Sequence, residues 1–452
     1  MLGRHRGCLT VRLNCRCCPP DGAEVSCPAD ASPIIGAMVA DSMPQILFAG
    51  GGHTHLAALG ALAQRVRGRA RLVLLSESPQ LLYSGMMPGW LAGRYALHDC
   101  AIDLRELAQR AGVEWVTDRL VDIDFQARQA VGAQGTRYGW DLLSLNVGTA
   151  VDPGVIRDAA LTVLPVKPFG QFVQRWQEWL VRAPLRPRCI VVGGGAAAFE
   201  VACALRARCA ATGPMQGGSV CVISAAPRLL VDQGRYNGWL AARSLRARGI
   251  ALQCGWRFVG VQGQEVLCER GASPGRQVTQ DASAAPHVEG AVDAGLLRLS
   301  ADLVIVATGA QAPRWLSIAA RRDGLSVGAG GGIAVNATLR ALNTPQVYAS
   351  GDCADFGHLR VPKSGVYALR QAPALVDALT AGLDALVGTA PPHAGAPYRP
   401  QRRALALLDR CDGSAIATWG RLGAAGAGLS HWKTRIDRAF IEAMNGRPPG
   451  AR

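Results

Sequence analysis

The chain lacks any uninterrupted apolar run near the length of about eighteen residues that a membrane-crossing helix needs, so no transmembrane span is expected. Its start is basic as far as Arg16 but has no continuous apolar core, which argues against a secretory signal and makes a cytoplasmic location the expectation. Cysteine is sparse for a disulfide scaffold: five of the 14 precede residue 30 (Cys8, Cys15, Cys17, Cys18 and Cys27) and the rest lie scattered in apolar stretches, as small buried hydrophobes do. No second cluster follows CRCC at zinc-site spacing. The eight histidines are dispersed, and His53, His55 and Glu77 have no useful metal-ligand spacing, so no metal is expected. Neither Ser84 nor Ser364 sits in a nucleophile elbow, which removes the simplest hydrolase reading. The 48 Lys and Arg outnumber the 33 Asp and Glu, but they form no long block and alternate with no aromatic stripe. Nucleic acid is therefore not an expected partner, while the net charge of +15 suits phosphate-bearing ligands and admits peripheral contact with an anionic membrane face.

What the chain has is glycine at informative places. QILFAGGGHTHLAALGALAQR, residues 45–65, runs from a short apolar strand through three glycines into a helix whose Leu56, Leu59 and Leu62 share a face. RLVLLSE, residues 71–77, follows as a strand ending in an acid, completing a βαβ order. RCIVVGGGAAAFEVACALRARC, residues 188–209, begins a second such unit, with SVCVISAAPRLL, residues 219–230, as its partner strand. Between the two, residues 102–112 read as a helix, the segment from Trp115 to Val131 as alternating antiparallel strands, and residues 140–151 as a buried strand. A helix is expected near Asn237–Arg248, an insertion loop over 271–292, strands at 301–310 and 346–356, and a helix bent at Pro373. The expected fold class is α/β: two Rossmann-like domains, one inserted in the other, plus a small C-terminal domain. The boundaries expected are an extension over 1–42, a first domain over 43–165 that resumes at 311–390, an inserted domain over 166–310 and a last domain over 391–452.

Glycine at Gly50 and Gly52 permits the tight turn and lets backbone amides approach a pyrophosphate beside His53 at the helix start. The third small position is taken by His55, which is free to turn towards solvent or ligand. Glu77, twenty-seven residues after Gly50, is placed to accept from a ribose hydroxyl. Gly193, Gly195 and Ala198 match the pattern more cleanly, with Glu200 early in the helix beside the nicotinamide side of the site. The acid expected after the partner strand is missing: Ser224 and Ala225 stand there, and Arg228 close behind is the candidate for a 2′-phosphate, so NADH and NADPH both remain open. Gly309 closes the second unit, and Gly351 with Asp352 in SGDCAD can meet polar groups of an extended cofactor.

Taken together, GGGHTH, YSGMMPGWLAG at Tyr83–Gly93, WDLLSLNVG, PVKP at Pro165–Pro168, GGGAAAFE, VATGA, SGDCADF and PKSGVYALRQAP resemble the FAD-dependent pyridine nucleotide-disulfide oxidoreductase superfamily, and most closely its selenide, water dikinase-associated branch. The likeness covers nearly all of residues 44–447. It implies FAD on Gly50, Gly52, Glu77 and Asp352, NAD(P)H on Gly193, Gly195 and Ala198, and Lys167 and Lys363 as cations beside the flavin. It also points to type II NADH dehydrogenases and sulfide:quinone reductases, hence to a quinone or another small electron acceptor, and leaves a homodimer open. No CxxC follows the first glycine unit, which sets the chain apart from dithiol reductases. The rival readings are reduction of a selenium or sulfur compound, with Cys100 and Cys353 as the thiols to test, and a non-enzymatic FAD sensor.

Overall fold

The computed structural model describes residues 34–35, 43–152, 155–157, 160–271, 290–293, 295–357, 359, 361–389 and 395–447. Two five-stranded parallel sheets dominate it. In the first the strand order is Val347–Ala349, Leu142–Leu145, Gln45–Ala49, Arg71–Ser76, Glu114–Thr117, and in the second Thr162–Pro165, Leu303–Val306, Arg188–Val192, Ser219–Ser224, Ala251–Cys254. Each sheet thus carries its glycine turn at the end of the central strand, where the chain runs on into a covering helix. Near-continuous apolar runs such as ILFA and VLLS fit this placement, because strands covered on both faces need no alternation. Phe48, Leu74, Leu145, Val191, Ile223 and Ile305 are all at or below 1% exposed.

Each half also contains a mixed sheet, antiparallel except where Ile34–Ile35 in the first and Val155–Arg157 in the second pair parallel with their neighbours. One holds Leu120–Asp124, Gln129–Gly132 and Arg137–Gly139, joined by the short strand Ile34–Ile35. The other holds Val155–Arg157, Trp256–Gln262, Glu265–Arg270, Gly290–Asp293 and Leu296–Ser300. A three-stranded antiparallel sheet, Leu405–Asp409, Ala415–Trp419 and Leu422–Gly426, and the helix Ala427–Met444 form the C-terminal part.

Several expectations shift in detail. The strand Thr162–Pro165 pairs with Leu303–Val306, so the inserted unit begins before residue 166. Trp115–Thr117 lies at the parallel edge of the first sheet and not in the antiparallel meander, because Glu114–Thr117 pairs with Val73–Ser76. The segment around Pro373 is two helices, Gly365–Leu369 and Ala372–Leu386, with Pro373 in the first turn of the second, where a missing N–H costs nothing. Most of the expected extension over 1–42 and of the insertion at 271–292 lies outside the described residues; Ile34–Ile35 and Gly290–Asp293 within them are strands.

Candidate functional site

The first glycine turn is shaped by what a side chain would strike. Gly50 has φ +93°, and a Cβ there would lie 2.6 Å from the Asn146 carbonyl oxygen; at Gly52 it would lie 1.9 Å from Asn146 Oδ1. Asn146 follows the neighbouring strand and donates from Nδ2 to the Ser350 carbonyl at 2.7 Å, while its Oδ1 is buried without a partner. The helix His53–Arg65 starts directly after Gly52, with no side-chain cap and no acid in its first turn. Its leading amides are free for an anion, and the helix dipole favours one there.

His55 corrects the expectation that it faces solvent or ligand. It is fully buried, with Nδ1 2.6 Å from the Gly50 carbonyl and Nε2 2.8 Å from Ser144 Oγ, its ring edge-on to Phe48. Burial lowers its pKa to about 4, so it is a neutral tie between turn and sheet. His53 instead lines the cleft. Burial lowers its pKa to about 4 as well, against the pull of Asp352, and its Nε2 has no partner.

Around this turn Glu77 stands exposed just past its strand. Lys167 Nζ donates to Asp352 Oδ2 at 2.8 Å and to Thr149 Oγ1 at 3.1 Å, joining residues expected separately. Gly351 (φ +62°) opens the turn that carries Asp352, and its N–H donates to Gln371 Oε1 at 2.6 Å. Lys363 is exposed on the cleft wall and is not part of the Lys167–Asp352 pair.

The second turn repeats the geometry. Gly193 has φ +143°, and its Cβ would lie 2.5 Å from the Ala307 carbonyl oxygen; Ala198, completely buried, is the small residue that packs beneath. A Cβ at Gly194 would strike Ser224 Oγ at 2.3 Å. Gly195 differs, since a Cβ there meets no protein atom within 4 Å and would project into open cleft. Gly309, Ser224, Ala225 and Ala226 also line that wall. Arg228 does not. Its guanidinium donates to the carbonyls of Val231 (3.2 Å), Gly234 (3.4 Å) and Leu230 (3.5 Å), so it ties down its own loop behind the cleft. Arg257, on the strand that follows Gly255, lines the cleft, and so does Arg314 beyond Gly309.

Both turns open into one cleft of about 2090 Å³, beyond the range of roughly 300–1,000 Å³ typical of a single small-molecule site and suited to more than one extended ligand. Its further wall was not foreseen. Glu200 turns towards the C-terminal part, where its Oε1 accepts from the Asp409 N–H at 2.8 Å. Lys433 Nζ, on the last helix, donates to Asp437 Oδ2 and to the Gly85 carbonyl, each at 2.7 Å, and Tyr83 donates to Asp437 Oδ1 at 3.2 Å. Burial, partly offset by Lys433 and the Asp409 amide, raises the Glu200 pKa to about 7. Lys433 and Asp437 are i, i+4 neighbours, a spacing legible in HWKTRIDRAF, but nothing in the sequence says that this face meets Tyr83 and Glu200.

Residues 44–372 match the pyridine nucleotide-disulphide oxidoreductase family. The chain belongs to it. It is accordingly an NAD(P)H-linked, FAD-dependent oxidoreductase. Among solved structures it is similar to the sulfide:quinone oxidoreductase of Aquifex aeolicus (15% identity, TM-score 0.67, covering 89% of this chain and 92% of that one). It is also similar to NDH2 of Plasmodium falciparum in complex with NADH (12%, TM-score 0.68, 90% and 99%) and to an NAD-dependent persulfide reductase of A. fulgidus (18%, TM-score 0.62, 86% and 66%). No curated protein sequence matches the chain.

The residues present fit FAD at the first turn: a cradle that any Cβ would fill, uncapped amides at a helix start, and the orphaned polar atoms of Asn146 and His53. Two outcomes follow. Gly195→Leu should leave FAD bound and slow flavin reduction by NAD(P)H by at least about tenfold, the loss of more than 1.4 kcal/mol of binding; equal loss of FAD would contradict the division between the turns. The Glu200 carboxyl should give a carboxylic C=O infrared band that titrates near pH 7 and vanishes in Glu200→Gln. Its folded pKa lies above its ordinary 4.5, so this group's contribution to stability declines as pH rises from 4.5 through 7.

Proposed function

We propose that the protein takes two electrons from NAD(P)H at the Gly193 turn and delivers them, through FAD held at the Gly50 turn, to a quinone reduced at the wall formed by the C-terminal helix. The carrying observation is that one cleft joins both turns to that wall while no cysteine lines it among the described residues. Cys353 is buried, donating from Sγ to the carbonyls of Ser350 and Leu145, and burial pushes its pKa to about 11; Cys100 is likewise buried and pushed to about 12. Neither thiol is exposed as a nucleophile, which weighs against thiol-mediated selenium or sulfur reduction and for an acceptor reduced directly. GGGHTH and YSGMMPG support placement in the selenide, water dikinase-associated branch.

Gly50, Gly52 and the first helix amides would hold the FAD pyrophosphate, Glu77 the ribose, and Asp352 with Lys167 the polar chain towards the ring. Bound there, FAD supplies the exchange between a two-electron donor and the acceptor. The protein's own part is to orient the partners and keep water from the transfer.

An apolar face at the mouth of the cleft supports an acceptor arriving from a lipid surface. Leu405, Trp419 and Leu422 oppose one another on adjacent antiparallel strands, so they share one side, and all are exposed. The Arg403 guanidinium lies 5.7 Å from the Trp419 ring centroid. On the neighbouring helix, exposed Tyr236 and Trp239 stack at 5.8 Å. Aromatics flanked by arginine suit the headgroup level of an anionic bilayer. No helix among the described residues is long and apolar enough to cross a membrane.

Under anaerobic conditions NADH or NADPH should bleach the bound flavin, and a short-chain quinone should restore it faster than selenite or a persulfide; a flavin reduced by neither nucleotide sinks the donor assignment. The protein should cosediment with vesicles containing anionic phospholipid, more weakly at high salt, and the Trp419→Ser, Leu422→Ser double variant should remain in the supernatant. Equal sedimentation of the variant would remove this face from the account.

A further inference from the structure

Three parts of the chain far apart in sequence contribute ionisable groups to one buried cluster in the cleft wall. Tyr83 comes from the first domain, Glu200 from the inserted one, and Lys433 and Asp437 from the last helix; all four line the cleft. Arg94 and Asp409 stand behind them as an ion pair, with Cys203, Cys411 and Cys100 as neighbouring neutral thiols. Lys433, Asp437 and Asp409 are each no more than 7% exposed. Charges so buried gain little for stability over well-packed apolar residues, so their presence at the cleft calls for a chemical reason.

The charge count supplies it. Lys433 pairs with Asp437, and Arg94 with Asp409, which leaves Glu200 as the odd carboxyl. These five groups sum to zero when Glu200 carries a proton, and beyond Cys203 stand Arg248 and Arg410, which share Asp412. Tyr83 is held by Asp437 at 3.2 Å while its ring packs on Phe440 (4.9 Å) and His53 (5.8 Å), so the hydroxyl is fixed at the boundary between the FAD turn and the last helix.

We propose that Tyr83, Asp437 and Lys433 deliver the proton that the electron acceptor needs, with Glu200 holding the reserve proton beside Lys433. The inference rests on the reading of the cleft as a path from nicotinamide to a proton-accepting oxidant. The balance for a quinone is NAD(P)H + H⁺ + Q → NAD(P)⁺ + QH₂. The donor supplies two electrons and one proton, so one quinone oxygen must draw its proton from elsewhere. The Tyr83 hydroxyl, which donates to Asp437 at rest, turns to the acceptor; its O–H bond breaks as the acceptor O–H bond forms, the phenolate takes a proton from the Lys433 ammonium by way of the Asp437 carboxylate, and Lys433 regains one from the Glu200 carboxyl. Solvent refills the set. Tyr83 is the catalytic residue here; Asp437, Lys433 and Glu200 act through it as positioning and storage groups. Burial, Asp437 and Glu200 all push the Tyr83 pKa upward, so the hydroxyl keeps its proton until an acceptor demands it.

The test compares two oxidants on holoenzyme that NAD(P)H has already reduced. A water-soluble quinone takes up protons with its electrons, and ferricyanide takes electrons alone. In Tyr83→Phe and in Asp437→Asn the ratio of quinone to ferricyanide reoxidation rates should fall by about 10²-fold, the lower end of general acid contributions. Wild type should show a larger solvent deuterium effect with quinone, which takes up protons, than with ferricyanide, which does not. Tyr83→Phe keeps the ring packing, and FAD content with the infrared carboxyl band of Glu200 reports that the site is intact independently of turnover. An unchanged ratio, or equal slowing with both oxidants, overturns the proposal. A wild type reoxidised by ferricyanide but by no quinone overturns the acceptor reading instead; the same ratio is then taken with dioxygen, whose two-electron reduction also consumes protons.

Discussion

Both halves of the molecule depend on one steric constraint, the approach of a turn glycine to the carbonyl that ends a neighbouring strand. At Gly50 the obstacle is Asn146 O and at Gly193 it is Ala307 O, at 2.6 and 2.5 Å from where a Cβ would be. Because the approach is so close, each covering helix starts directly over the sheet's carboxyl edge, and its uncapped amides face the same cleft. The two helix starts and the cleft volume shared between them follow from these two contacts.

The two halves reach this geometry by different packing. The second uses Ala198, a small residue that lets helix and strand close together. The first tolerates His55 in the equivalent place because the imidazole is given two partners, Gly50 O and Ser144 Oγ, and kept neutral. A ring too large for the usual packing has become a hydrogen-bonded spacer.

The fold was legible because its signals are local: apolar strand, glycines, small or apolar helical face, partner strand. Gly50, Gly52, Gly193, Gly195, Glu77 and Asp352 lie on the cleft for the same reason. What was not legible depends on long-range meetings. Arg228 stands at the right distance in sequence for a phosphate, yet its loop curls back and offers it three carbonyls. Asn146 gives no motif of its own, although two glycines are shaped around it. Tyr83, Glu200 and Lys433 are separated by more than a hundred residues at each step, and only the packing of the last helix brings them to one wall.

That last helix has a consequence for biosynthesis. A chain emerging from the ribosome completes both glycine turns well before residues 427–444 are made, so the two parallel sheets can assemble before the last wall of the cleft is in place. Under the proposed electron path, the docking of this helix is what would separate electrons in the cleft from open solvent and whatever oxidant is dissolved there.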